Sequence, residues 1–274
     1  MVVRVSLLSV DGNPNTTVAP LEIDLLLERA AAFGSYFSAL AALPDEPGWV
    51  PSAALAEPES PALSVLLDRI EAETGSANGR MLSAFLVHRY AWRLAAPAAA
   101  VYLAADTLPD LAADAVWLNP AAEPIDVAYA SRWGAIGDGS FGSREELETW
   151  FRQGFAAHLA PLVAQLRARL PLGERAMWVI AADACAAAFL AAGELLGDER
   201  RAVARFRSAI LDPPDSRFRS RMSFFTVRVD GTPRTVLRRG SCCQSFRIDD
   251  EFCSTCPRVP VREQRGRVLA ELHA

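Results

Sequence analysis

Cys242-Cys243-Gln-Ser-Phe-Arg-Ile-Asp-Asp-Glu-Phe-Cys253-Ser-Thr-Cys256 is the stretch whose residue types could do chemistry: fifteen residues hold four of the chain's five cysteines. A C-x-x-C turn can bring two sulfurs to one metal centre. Adjacent cysteines usually point apart, so Cys242 and Cys243 reach one compact site only if the backbone bends sharply; a larger, two-iron target is easier to serve. Four thiolates are the ligand set of a [2Fe–2S] cluster, and such soft donors favour iron–sulfur, zinc or copper(I) over hard cations. Three chemistries stand open on the residues alone. One is an iron–sulfur cluster. The second is a tetrahedral zinc site, which usually takes two C-x-x-C-like knuckles, and Cys242-Cys243 is not one. The third is a pair of disulfides, which would need an oxidising compartment, and no export signal is visible.

The elements that must hold these sulfurs come from a chain of 274 residues, 51% hydrophobic. That is ample for a packed core in one large domain or two small ones. No stretch reads as a spanning helix: the apolar window 94–105 is too short, and 177–196 carries Asp183 and Glu194. The expectation is a cytoplasmic protein without stable membrane insertion. All 28 basic residues are arginine. They are unevenly placed: residues 1–196 hold 12 Arg against 23 acidic groups, and residues 197–274 hold 16 Arg against 10. The basic part is therefore the part with the four cysteines. Arginines near an anionic cluster would favour its reduced form; a solvated basic face or a docking surface for an acidic partner is the plainer reading. The acidic whole and the unarrayed aromatics do not suggest nucleic-acid binding.

The pattern predicts an α+β fold, mainly helical. A helical body would carry a small β-hairpin and a C-terminal iron–sulfur loop. A region 1–140, helical with short strands, would precede a region 141–274 with the hairpin and cysteines, unless the two form one continuous domain. Residues 2–10 have strand composition. Helices are expected over 21–43, from Ser60-Pro61 to Thr74, over 80–105 with an interruption or kink at Pro97, from the capping box Ser143–Glu146 through a kink at Pro161, over 176–196, 198–211 and 261–273. Residues 45–59 read as a connector, and short strands are expected at 116–118 and 125–129. Four glycines between 134 and 142 read as a flexible loop, a lid or a pocket lining, and not as a phosphate-binding loop. His158, on an apolar stripe, reads as a core residue before a ligand; His88 and His273 have no assigned role. Cys185 is a small apolar filler. Strands over 222–229 and 235–239, joined through Asp230-Gly231, form a hairpin that delivers Arg238-Arg239-Gly240-Ser241 into the cysteines.

Arg238-Arg239-Gly-Ser-Cys242-Cys243 … Cys253-Ser-Thr-Cys256-Pro257 resembles the C-terminal signature of the FhuF-like ferric-siderophore reductases. Weaker likenesses, such as His88-Arg-Tyr-Ala-Trp-Arg and His158-Leu-Ala-Pro-Leu162, extend it over about residues 80 to 258. The gap between the cysteine pairs is slightly shorter than is usual in the family, and Asp249, Asp250 and Glu251 stand where members often have glycines. The resemblance implies a [2Fe–2S] cluster on Cys242, Cys243, Cys253 and Cys256. It further implies one-electron reduction of iron(III) held in a siderophore. Candidate substrate contacts, by nearness in sequence, are Arg238, Arg239, Phe246 and Arg247. No catalytic acid–base pair is expected beyond the cluster. No Rossmann-type motif offers a bound nicotinamide or flavin, so a ferredoxin or flavoprotein reductase would supply electrons. A four-cysteine zinc binding module and a cluster protein acting only as electron carrier or redox sensor remain the alternatives.

Overall fold

The computed structural model describes residues 20–130, 133–136, 140–249 and 251–273. The strand expected over residues 2–10 lies outside them. Helices α1 (Pro20–Ala31), α2 (Pro61–Thr74), α3 (Gly79–Ala105), α4 (Arg144–Arg169), α5 (Glu174–Leu196), α6 (Glu199–Phe206), α7 (Phe246–Asp249) and α8 (Val261–His273) dominate. The strands are β1 (Val50–Pro51), β2 (Thr107–Pro109), β3 (Val116–Asn119), β4 (Asp126–Tyr129), β5 (Trp133–Ala135), β6 (Ser223–Val229) and β7 (Thr232–Arg238). They form three small antiparallel sheets, β1-β3-β4, β2-β5 and β6-β7. The mainly helical α+β class read from the sequence is what the chain adopts.

The core is centred on α3 packed along α5. Both helices are rich in alanine and apolar on nearly every side, the mark of a helix enclosed by protein. Leu94 through Leu103 of α3 are all buried, as are Met177, Ile180, Ala184 and Phe189 of α5. One continuous apolar cluster runs from Ile23 to Leu237. Glu174–Leu196 is long and apolar enough to cross a membrane by length and composition, yet most of its apolar window is buried inside this core.

Local rules explain most boundaries. Ser60 Oγ accepts from Leu63 N at 3.2 Å and Pro61 occupies the first turn, starting α2 as expected. Asn78, in the break between α2 and α3, caps α3 by accepting from Met81 N at 3.2 Å. Ser143 Oγ caps α4 by accepting from Glu146 N, while Glu146 Oε2 reaches back to Gly142 N. Neither Pro97 nor Pro161 interrupts its helix. Each loses a ladder hydrogen bond, but tertiary packing holds the helix together around it. The helix expected over 21–43 stops at Ala31, since Gly34 takes φ +125°. The short turn that follows is tied down by Arg93, only 1% exposed, which donates to the carbonyls of Ser35, Tyr36, Ser38 and Ile125.

Residues 137–139 of the glycine-rich stretch lie outside the described residues; its first residues form a strand. Gly134 belongs to β5 and pairs with Leu108. A side chain there would overlap the Phe141 ring and lie 3.2 Å from Trp150, so this glycine serves close packing.

His158 is a core residue, as expected. It lies 2.6 Å from Tyr90 Oη and 2.8 Å from the Leu111 carbonyl. Burial pulls its pKa from 6.5 down to about 4, outweighing the hydrogen bond to Leu111. The folded state therefore keeps His158 neutral at a pH where the unfolded chain binds a proton. Its contribution to stability is full above about pH 6.5 and is lost on the way down to about pH 4, a cost of about 3 kcal/mol. Urea titrations at neutral pH and near pH 4.5 are expected to show this loss, with His158→Gln flattening the pH dependence.

Candidate metal centre

The cysteine loop leaves β7 and returns to α8, and each arm has its own anchor. Asp230 (φ +50°) and Gly231 (φ +79°) make the tight turn between β6 and β7, with both central residues left-handed, as a two-residue hairpin loop requires. The hairpin delivers Gly240 and Ser241 to Asp183, a fully buried carboxylate in the middle of α5. Asp183 accepts from Gly240 N at 2.9 Å, from Ser241 N at 2.8 Å and from the Ser241 hydroxyl. Burial pushes its pKa up, while these donors and the Arg239 charge pull it down. In the sequence Asp183 is only a charge in an apolar helix; no signal ties it to a loop 57 residues onward.

Gly240 is required by space. A Cβ there would overlap the Ser220 hydroxyl and lie 3.0 Å from Met222 N and 3.2 Å from Arg221 N. Two of those neighbours are backbone and cannot rotate away. Gly240→Ala is expected to cost about 1–3 kcal/mol and to shift the first cysteine arm. Denaturation midpoints and iron bound per chain after reconstitution would measure both effects; wild-type values in both would show that the arm moves freely.

The sharp bend that adjacent cysteines need is supplied by Gln244, which sits at φ +68°. This left-handed residue turns the chain directly after Cys242-Cys243, and its N–H points to Cys242 Sγ at 3.4 Å. The second arm hangs from α8. Cys256 N donates to the Cys253 carbonyl at 3.0 Å, closing the C-x-x-C turn. The fully buried Gln264 donates to the Cys256 carbonyl, and Arg267 donates to the Phe252 carbonyl at 2.6 Å. Arg239 N to the Thr255 carbonyl, 3.3 Å, ties the two arms together.

All five cysteines are free thiols in the structure. Cys185 is sealed in α5, 0% exposed. The other four gather at one place. The Cys253 thiol donates to Cys243, which holds Cys243 below the ordinary thiol range and Cys253 above it. The Arg239 charge favours the thiolate at both. Cys242 is raised, first by burial and then by the nearness of Cys256 and Cys243. Among the described residues, no three His, Cys, Asp or Glu side chains are grouped tightly enough to hold a single metal ion. Four thiols on one loop are the ligand set of a two-iron unit with two sulfurs per iron, and the adjacent pair Cys242-Cys243 is not the knuckle that structural zinc usually takes. The donor set and the basic neighbour both suit [2Fe–2S] ligation by Cys242, Cys243, Cys253 and Cys256.

Beside the cysteines lies an open groove of about 340 Å³ between α5, β7 and α8. Ser254 and Thr255, the middle of the C-x-x-C turn, form part of its wall together with His88 and Arg239. Arg239 donates to His88 Nδ1 at 3.1 Å. Burial, then the charges of Arg239 and Arg89, hold His88 down to about 3, so it stays neutral and accepts that bond. Of the four expected substrate contacts only Arg239 lines the groove. Arg238 donates to the Pro257 carbonyl at 3.3 Å. Phe246 packs on Phe252, with ring centres 5.2 Å apart, and is flanked by the guanidinium groups of Arg247 and Arg258. His88, given no role from the sequence, belongs to the groove.

Residues 239–258 match the model of one known family, the FhuF 2Fe-2S C-terminal domain. No curated protein and no solved structure matches the chain.

Proposed function

Taking residues 239–258 as a FhuF-type [2Fe–2S] segment, we propose that this chain is a cytoplasmic reductase that passes one electron to iron(III) held in a siderophore, so that the metal leaves as iron(II). The observation that carries this reading is the shared wall: the turn bearing Cys253 and Cys256 is also a side of the groove. A bound [2Fe–2S] cluster supplies reversible one-electron transfer. The protein's own residues supply the rest. Asp183, Gly240 and Gln244 fix the first thiol pair, and Gln264 and Arg267 fix the second. Arg239 carries positive charge to the thiols and to the groove, and neutral His88 holds its guanidinium in place. Hard oxygen donors grip iron(III) and hold the softer, less charged iron(II) weakly, so a single electron suffices for release.

The test is an anaerobic reconstitution followed by mixing with a ferric hydroxamate or catecholate and an iron(II)-specific chromophore. Reduced protein is expected to accelerate iron(II) release over reductant alone. A coloured protein that cycles reversibly without accelerating release is an electron carrier. A colourless protein that retains zinc is a binding module.

A further inference from the structure

Residues 216–222, irregular with a turn at 217–218, lead into β6 beside the first cysteine arm, and their burial alternates. Ser216, Phe218 and Met222 face inward, while Arg217, Arg219 and Arg221 are exposed. Phe218 is 0% exposed, stacked on Phe155 at 5.2 Å and edge-on to Trp178 at 5.5 Å, so the strip is fixed in place. Arg217 lies over the Trp178 ring, and Arg219 donates to the Pro214 carbonyl. Among the described residues, none of the three arginines forms an ion pair with a carboxylate, whereas Arg152, Arg205, Arg207 and Arg234 all do. Three uncompensated charges thus stand on one solvent face within five residues. That face borders the centre: Arg221 N lies 3.2 Å from the Cβ position of Gly240, two residues before Cys242.

We propose that Arg217, Arg219 and Arg221 form the docking strip for an acidic one-electron carrier protein. This rests on the reductase reading, which requires an electron from outside the chain. The strip sets positive charge on a molecule of net charge −5. An acidic partner is repelled by the molecule as a whole and attracted at this strip, which brings it beside the first cysteine arm. In the encounter the carrier is oxidised by one electron and the iron–sulfur centre of this chain is reduced by one.

An acidic [2Fe–2S] ferredoxin is the probe. Its affinity for the reconstituted chain is measured by calorimetry at low and high salt, and its oxidation is followed by stopped flow. Wild-type affinity is expected to fall steeply with salt. Arg221→Glu, whose side chain has no partner among the described residues, and the double variant Arg219→Gln/Arg221→Gln are expected to weaken low-salt binding about tenfold, with little change at high salt. Their melting curves and dithionite-reduced spectra are expected to match wild type. Variants that bind and oxidise the carrier as wild type does, or salt-independent wild-type binding, would overturn the strip. A wild-type chain that takes up no iron and sulfide would overturn the reductase reading instead. Equal, strip-dependent binding of a single-stranded oligonucleotide would mark the strip as a general polyanion site and also sink the proposal.

Discussion

Asp183→Ala is expected to destabilise the chain by about 3–5 kcal/mol and to abolish stable cluster assembly. The carboxylate is completely buried and accepts three hydrogen bonds from Gly240 and Ser241. Removing it leaves two backbone N–H groups and a hydroxyl without a partner in an apolar core, and frees the arm that carries Cys242 and Cys243. Asp183→Asn keeps one acceptor oxygen and is expected to lose less of both. Urea denaturation with iron and sulfide analysis separates the two losses. Normal iron and sulfide content in Asp183→Ala would show that the arm is held by other contacts.

Local chemistry made much of the fold readable in advance. Ser60-Pro61, the Ser143 capping box and Asp230-Gly231 act within a few residues, and each sits where its side-chain chemistry places it. The cysteine quartet was equally legible, since thiol identity and spacing survive in the sequence. What remained hidden depends on contacts far apart in the chain. Asp183 meets Gly240, His88 meets Arg239, and Arg93 reaches the carbonyls that follow α1. None of these leaves a periodic trace. The expected continuation of α1 failed for a related reason: its apolar residues suit a helix, but Gly34 and the Arg93 carbonyl cage select a turn.

Cys253→Ser is expected to weaken cluster retention by more than about 100-fold, since even an outer-shell change costs 10–100-fold in metal affinity. A serine hydroxyl is a harder donor and resists deprotonation. It would also remove the thiol whose proton bridges to Cys243. Cys185→Ala is the matched control: that thiol is sealed in α5, and burial holds its pKa high. It is expected to alter melting slightly and iron content not at all. Visible absorption and iron-to-protein ratios decide the matter. Equal bleaching in both variants would detach the colour from the loop.

The two thiol pairs ride on unequal supports. Cys242 and Cys243 are pinned to the central helix α5, whereas the turn of Cys253 and Cys256 is pinned to α8, a largely exposed helix that buries little beyond Gln264 and Val268. Heat therefore opens the grip from one jaw: the outer helix peels away while the inner bundle still stands. Bleaching of the chromophore should precede loss of helical dichroism, so optical half-life reports the detachment of α8 and not the melting of the protein.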